Sequence, residues 1–283
     1  MFWKVLLMIL VVSLILYFYQ QNYLHKLSHY QIFISKFDQE FKGRKIVFIS
    51  DTHFRSKISI GFIDRILIDI DKTKPDLIVF AGDIVHDIEN GQTLEHVKDF
   101  FLQLSKIAPT YLIYGNHDIA TKRLDEIKAT LKLAGAQLLE NEAKWIQFEE
   151  SAAGFWLMGL SDQSVRIRQM KDPLKEISLT PNSQKDPKIL LAHHPEFFDR
   201  YLKDEKKRPD LILSGHTHGG QVILPIVGGL FAPGQGLLPR YDFGMFTSEE
   251  YPQNRMIVSK GIGNSRFPLR MNNRPEVIVI EFE

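Results

Sequence analysis

The chain has 283 residues, a formal net charge of +1, 44% hydrophobic residues and no cysteine. That near-neutral balance excludes a general nucleic-acid binder, whose electrostatic footprint needs clustered Lys and Arg. Without cysteine there is no disulfide, no thiolate metal site and no cysteine nucleophile, so any metal must be held by His, Asp, Glu or Asn, donors that suit Mn, Fe or Zn.

The chain opens MFWKVLLMILVVSLILYFYQQNYLHKL, apolar from Val5 to Tyr19 except for Ser13. This core is short of the roughly 20 residues of a spanning helix. Phe2, Trp3 and a snorkelling Lys4 extend it. Cleavage of a signal peptide wants small residues next, whereas the following stretch is bulky and polar. Residues 1–23 therefore read as one uncleaved transmembrane helix. Its aromatic cluster, Tyr17, Phe18, Tyr19 and Tyr23, is expected at the membrane interface. Residues 24–43 read as a polar linker and 44–283 as one catalytic domain, a size that supports its own core.

Within that domain, short apolar runs at 45–50, 77–80, 111–114, 155–160, 188–192, 211–213, 256–259 and 276–282 read as buried strands. Between them, Leu94, Val97, Phe101, Leu104 and Ile107 recur at helical spacing. Leu124, Ile127 and Leu131 do the same before Gly135, a C-cap signal. The alternation implies an α/β layer fold. Residues 203–210, KDEKKRPD, read as a solvated loop, and 219–275, rich in Gly and Pro, as loops with hairpin strands.

Polar residues follow the apolar runs in a repeated way: Asp51 and His53, Asp83, then Asn116, His117 and Asp118, then His193 and His194, and last His216 and His218. Each alone is an ordinary cap, turn or satisfied histidine. Five runs delivering them together at carboxyl ends, where open α/β sheets place their sites, read as a metal centre. Seven ligand candidates (Asp51, His53, Asp83, Asn116, His193, His216 and His218) exceed what one ion takes while keeping an open position. Two divalent ions sharing a carboxylate, about 3.5–4 Å apart, would absorb them and turn a bridging water into a hydroxide nucleophile near neutral pH.

The blocks D-x-H, G-D, G-N-H-D, H-x-P and G-H-T-H, in this order, resemble the calcineurin-like metallophosphoesterase superfamily over roughly 44–283. The stretches GGQVILPIVGGL and GIGNSRFPLRMNNRPEVIVIEFE are similar to its bacterial membrane-associated phosphodiesterase branch, the YkuE/YaeI type. The resemblance implies a four-layer α/β/β/α sandwich. It also implies one metal on Asp51, His53, Asp83 and His218, and a second on Asp83, Asn116, His193 and His216, with Mn²⁺ first and Fe or Zn²⁺ next. His117 would protonate the leaving group, oriented by Asp118. His194 stands where the family commonly has Asn; substrate contact and packing are both open to it, and packing is the expectation. His25, His29, His86 and His96 are expected at the surface.

Protein phosphatases of the superfamily carry arginines in the second and third blocks. Here Asp87 and Tyr114 stand near those places, which argues against a phosphoprotein. The expected activity is dinuclear hydrolysis of a phosphodiester, a lipid or lipid-linked nucleotide, by a monomeric single-pass protein of the inner membrane. UDP-2,3-diacylglucosamine hydrolysis is the alternative, and a non-catalytic scaffold of the same fold would have lost ligands. In 227–246, Leu230, Phe231, Leu237, Leu238, Phe243 and Phe246 either pack as core or seat acyl chains while Arg240 or Arg266 meets a phosphate.

Overall fold

The computed structural model describes residues 1–37, 39–148, 153–161, 172–180, 183–264 and 267–283. Two six-stranded sheets form its frame. The first runs β1 (Lys26–Ile32), β16 (Glu276–Phe282), β2 (Lys45–Ile49), β3 (Leu77–Ala81), β4 (Thr110–Ile113) and β5 (Gln137–Leu138). The second runs β14 (Gly244–Thr247), β15 (Arg255–Val258), β9 (Leu211–Ser214), β8 (Lys188–Ala192), β7 (Gly154–Leu160) and β6 (Glu142–Gln147). Strands β2 to β5 are mutually parallel, as are β7, β8, β9 and β15.

The period-two pleat explains the layers. In β2 and β3, Ile46, Phe48, Leu77 and Val79 face the second sheet, meeting Leu157, Leu191 and Leu213. Val47, Ile49, Ile78 and Phe80 face the opposite way, under the helices. Those helices are α2 (Ile60–Thr73), α3 (Gly91–Ile107) and α5 (Leu124–Leu133), which bury Ile66, Val97, Phe101 and Leu131. Behind the second sheet, Leu190, Ile212 and Met256 pack on Phe198 and Tyr201 of a short helix, a thin fourth layer. Both faces of the central strands are thus buried, so their runs are continuously apolar. Helix α5 ends before Gly135, left-handed at φ 78°.

The stretch read as a linker is not one throughout. Lys26–Ile32 is an edge strand, pairing in parallel with β16. Its polar alternation hides this, because only Ser28 and Ile32 are buried.

Helix α1 (Phe2–Tyr23) is long and apolar enough to cross a membrane, and it is exposed along its apolar length. Its final turn is held by the domain. Asn273 N donates to Gln21 Oε1 at 2.9 Å and Arg270 N to Asn22 Oδ1 at 3.1 Å. Further back, Tyr17 Oη donates to Asn272 Oδ1 at 2.8 Å.

Candidate metal centre

The chain leaves the parallel strands of both sheets at one edge, and the candidate residues are the first ones out. Asp51 and His53 follow β2, Asp83 follows β3, Asn116 follows β4, His193 follows β8, and His216 and His218 follow β9. Asp51, His53, Asp83, His216 and His218 all have positive φ, between 47° and 73°. Each such residue is strained by about 1–3 kcal/mol, and strain of this kind persists where a site requires it. Two glycines let the loops close. A Cβ on Gly115 would collide with Asp83, and one on Gly215 with Asp51.

The result is two buried triads of ligand atoms, Asp51–His53–His218 and Asp83–His193–His216, each with its atoms within 4.8 Å of one another. His53 Nε2 and His218 Nε2 face each other at 2.9 Å. Asp83 Oδ2 lies 3.5 Å from His53 Nε2 and 3.3 Å from His193 Nε2, so it reaches towards both triads. His193 Nδ1 donates to the Ala81 carbonyl at 2.7 Å, which fixes the tautomer with its lone pair on Nε2. Asp51 accepts the His216 amide, and Asp83 Oδ1 the His117 amide at 2.8 Å.

Burial sets the protonation states. It holds the His53 imidazole near 3 and those of His216 and His218 well below their usual value, with neighbouring histidines adding to the effect. All three are therefore neutral, as ligands must be. Burial pushes Asp51 up to about 6, and the Asp83 charge adds to it. Asn116 Oδ1 is buried with no hydrogen-bond partner. Neutral imidazoles, two buried carboxylates and an unsatisfied amide oxygen, converging without a lysine or arginine among them, are a donor set that fits divalent cations.

Two expectations change around this core. Asp118 does not touch the His117 ring. Its carboxylate accepts from the amides of Gly115 (2.8 Å), Ile84 (3.2 Å) and Val85 (2.9 Å), because adjacent helical residues point about 100° apart and Asp118 faces the loops. It ties the Asp83 loop to the Asn116 loop, and burial raises its pKa to about 7. His86, expected at the surface, is half-buried and stacks on His117 at 5.0 Å between ring centroids. His53 meets the same His117 ring edge-on at 4.7 Å. The spacing G-D-x-x-H was the available signal. Of the other three histidines read as surface residues, His29 is exposed, while His25 and His96 are half-buried.

His194 is buried, its ring 4.1 Å from that of His216, with Nδ1 3.1 Å from Glu196. Arg270 was missed altogether. It is fully buried, and Nη2 donates to the carbonyls of Gly261 and Gly263, the loop that flanks Asp51. The apolar 227–246 segment divides: Phe231, Leu237 and Leu238 are exposed, while Leu230, Phe243 and Phe246 are half-buried. Arg240 sits 3.5 Å from both Asp199 and Glu249; Arg266 lies outside the described residues.

The calcineurin-like phosphoesterase family pattern matches residues 44–220. Phosphodiesterase YaeI of Escherichia coli is 34% identical over 241 residues, covering 84% of this chain and 81% of that one. The uncharacterized metallophosphoesterase YkuE of Bacillus subtilis is 31% identical over 270 residues, 92% of this chain and 86% of its own. A transmembrane protein with a metallophosphoesterase domain from Danio rerio is 26% identical, covering 89% of this chain and 56% of that protein.

Proposed function

The chain belongs to the calcineurin-like phosphoesterase family and is a metal-dependent phosphoester hydrolase, and we propose that it is a dinuclear phosphodiesterase acting on a membrane-held substrate. The observation that carries this reading is the pair of buried triads with Asp83 between them. In it, Asp51, His53, Asp83 and His218 would hold one ion, and Asp83, Asn116, His193 and His216 would hold the other, with Mn²⁺ the first candidate. Two such ions would acidify a water and neutralise the phosphoryl oxygens.

The chain's own groups do the rest. His117 belongs to neither triad; it is half-buried and forms a neighbouring group with His53 and His86. Its ring protonates the alkoxide as the P–O bond breaks, and its backbone amide holds Asp83. His86 stacks on that ring and limits its rotation. Asp118 is a positioning residue that locks two ligand loops. Asp87 and Tyr114 near the phosphatase arginine places support a diester over a phosphoprotein. The name of the YaeI relative supports the same class. The exposed apolar helix supports a single-pass anchor, and the working catalytic unit includes β1 together with residues 44–283.

The test is turnover of bis(p-nitrophenyl) phosphate against p-nitrophenyl phosphate by Mn²⁺-loaded protein. The diester should be hydrolysed faster, and EDTA should abolish turnover. Monoester preference, or EDTA-resistant activity, would overturn the reading.

A further inference from the structure

A cavity of about 330 Å³ runs from the centre to the end of the apolar helix. Thr52 and His53 line it together with Asn22 and Tyr23 of α1. Arg55 and Lys57 stand along it, beside an apolar wall that includes Phe62 and Ile63. We propose that this cleft is the route by which a lipid phosphodiester, its acyl chains still in the bilayer, reaches the centre. The proposal rests on the phosphodiesterase reading and names its substrate class.

The first support is that the helix end is part of the cleft and is not a tether. Asn264, a lining residue, donates to Asn22 Oδ1 at 3.2 Å, and Arg65 Nη2 donates to the Tyr23 carbonyl at 3.3 Å. Asn273 links Gln21 to the centre, because its side chain donates to the His218 carbonyl at 2.7 Å. A bilayer crossed by α1 therefore has a fixed position relative to His53.

The second support is depth. From Phe2 to Tyr19 the helix rises about 26 Å, against a hydrocarbon core of about 30 Å. No length remains for a stalk. Tyr23, at the mouth of the cleft, stands about 6 Å beyond Tyr19 along the axis, which is the level of lipid phosphates. The hairpin of β10 (Ile223–Leu224) and β11 (Gly228–Gly229) is bound to Met271 and Asn272, the same loop that holds Tyr17. Tyr17 lies about 9 Å nearer the membrane along the axis than Tyr23. The hairpin tip carries Ile226 and Val227, 108% and 58% exposed, and Leu269, two residues before Met271 in the segment that binds the hairpin, is exposed as well. Apolar tips at acyl depth and cations at phosphate depth match the two halves of a lipid.

A diacyl phosphodiester would lay its anionic phosphate past Arg55 and Lys57 towards His53, with its glycerol end against the apolar wall. Water adds across one P–O bond, releasing an alcohol and a phosphomonoester, and no other co-reactant is needed. A soluble nucleotide would have no use for a mouth built from the anchor.

The test uses the full chain with Mn²⁺ in vesicles of phosphatidylcholine and phosphatidylglycerol (4:1), with bis(p-nitrophenyl) phosphate as the soluble ester. Ser59 lines the cleft, is exposed and makes no side-chain capping bond to α2, so Ser59→Trp obstructs the cleft without removing a structural contact. We expect wild type to cleave phosphatidylglycerol and Ser59→Trp to lower the lipid-to-aryl-ester turnover ratio at least tenfold, with Ser59→Ala restoring it. A ratio within twofold of wild type overturns the cleft. Aryl-ester turnover with no lipid cleavage by wild type overturns the lipid substrate and leaves the phosphodiesterase reading standing. Turnover of neither ester overturns both.

Discussion

Replacing Asp83 by Asn changes one oxygen for an NH₂ and nothing in volume, so it isolates the shared carboxylate. The amide oxygen can still accept from His117 N, and the loop bond survives. The other position, now a donor, faces the Nε2 atoms of His53 and His193 where a cation would sit. In the metal-free protein, burial works against the Asp83 charge, but His193 and His53 outweigh it and hold the carboxyl well below its usual range, so the charge supports the fold. Asp83→Asn should therefore unfold no later than wild type in EDTA. With metal the gap widens. An ion at 100 times its Kd stabilises the folded state by about 2.7 kcal/mol, so two ions give about 5.4 kcal/mol. At about 2–4 °C per kcal/mol for a domain of this size, wild type should gain about 10–20 °C in Tm. Asp83→Asn should gain less than half of that and bind no more than one ion. Its loss of activity should exceed the roughly 100-fold typical of groups that merely support a ligand. Differential scanning calorimetry with and without Mn²⁺, and metal analysis on the same samples, read both quantities. A variant that gains as much as wild type and still binds two ions would refute the shared role of Asp83.

His117→Ala should leave metal content intact and lower kcat about 10²–10⁴-fold, with a smaller loss for p-nitrophenyl than for alkyl leaving groups; equal losses would mean that His117 does not deliver the proton. Burial keeps His53, His216 and His218 neutral in the fold, while their unfolded counterparts titrate near 6.5. Their stability contribution is therefore complete above pH 6.5 and is lost as the pH falls below it. Asp51, near 6, and Asp118, near 7, act in the opposite sense over that interval, but they are two groups against three. The metal-free Tm should therefore drop from pH 8 to pH 5, and a flat or rising profile would contradict neutral buried imidazoles. Deleting residues 1–39 removes β1 and its pairing with β16, so that protein should lose soluble-ester activity through instability. Deleting residues 1–19 spares β1, Gln21 and Asn22, and should keep that activity.

The strands and their polar ends were legible because burial on both faces leaves little but apolar residues, as in Leu77–Ala81, and because Asp83 and His216 sit directly beyond such runs. β1 was illegible because an edge strand with a wet face looks like a linker: His29 is exposed while Ile32 is buried. His86 and Arg270 were hidden by their company. One lies in a loop whose neighbours Asp87 and Ile88 are half-buried, and the other in a Gly/Asn-rich stretch whose folding depends on contacts nearly 250 residues away with α1. The same long range concealed the docking of Gln21 and Asn22, which as sequence are only the polar end of a membrane helix. The resemblance has Asp118 orient His117, but helix geometry turns the two apart, and the Asp118 carboxylate instead holds the amides of Gly115, Ile84 and Val85.

Whether two ions share Asp83 can be seen in anomalous diffraction from Mn²⁺-soaked crystals. Two peaks about 3.5–4 Å apart are expected, one against Asp51, His53 and His218, the other against Asn116, His193 and His216, with the Asp83 carboxylate touching both. A single peak at saturating Mn²⁺, or two peaks with Asp83 bound to neither or to only one, would contradict this sharing.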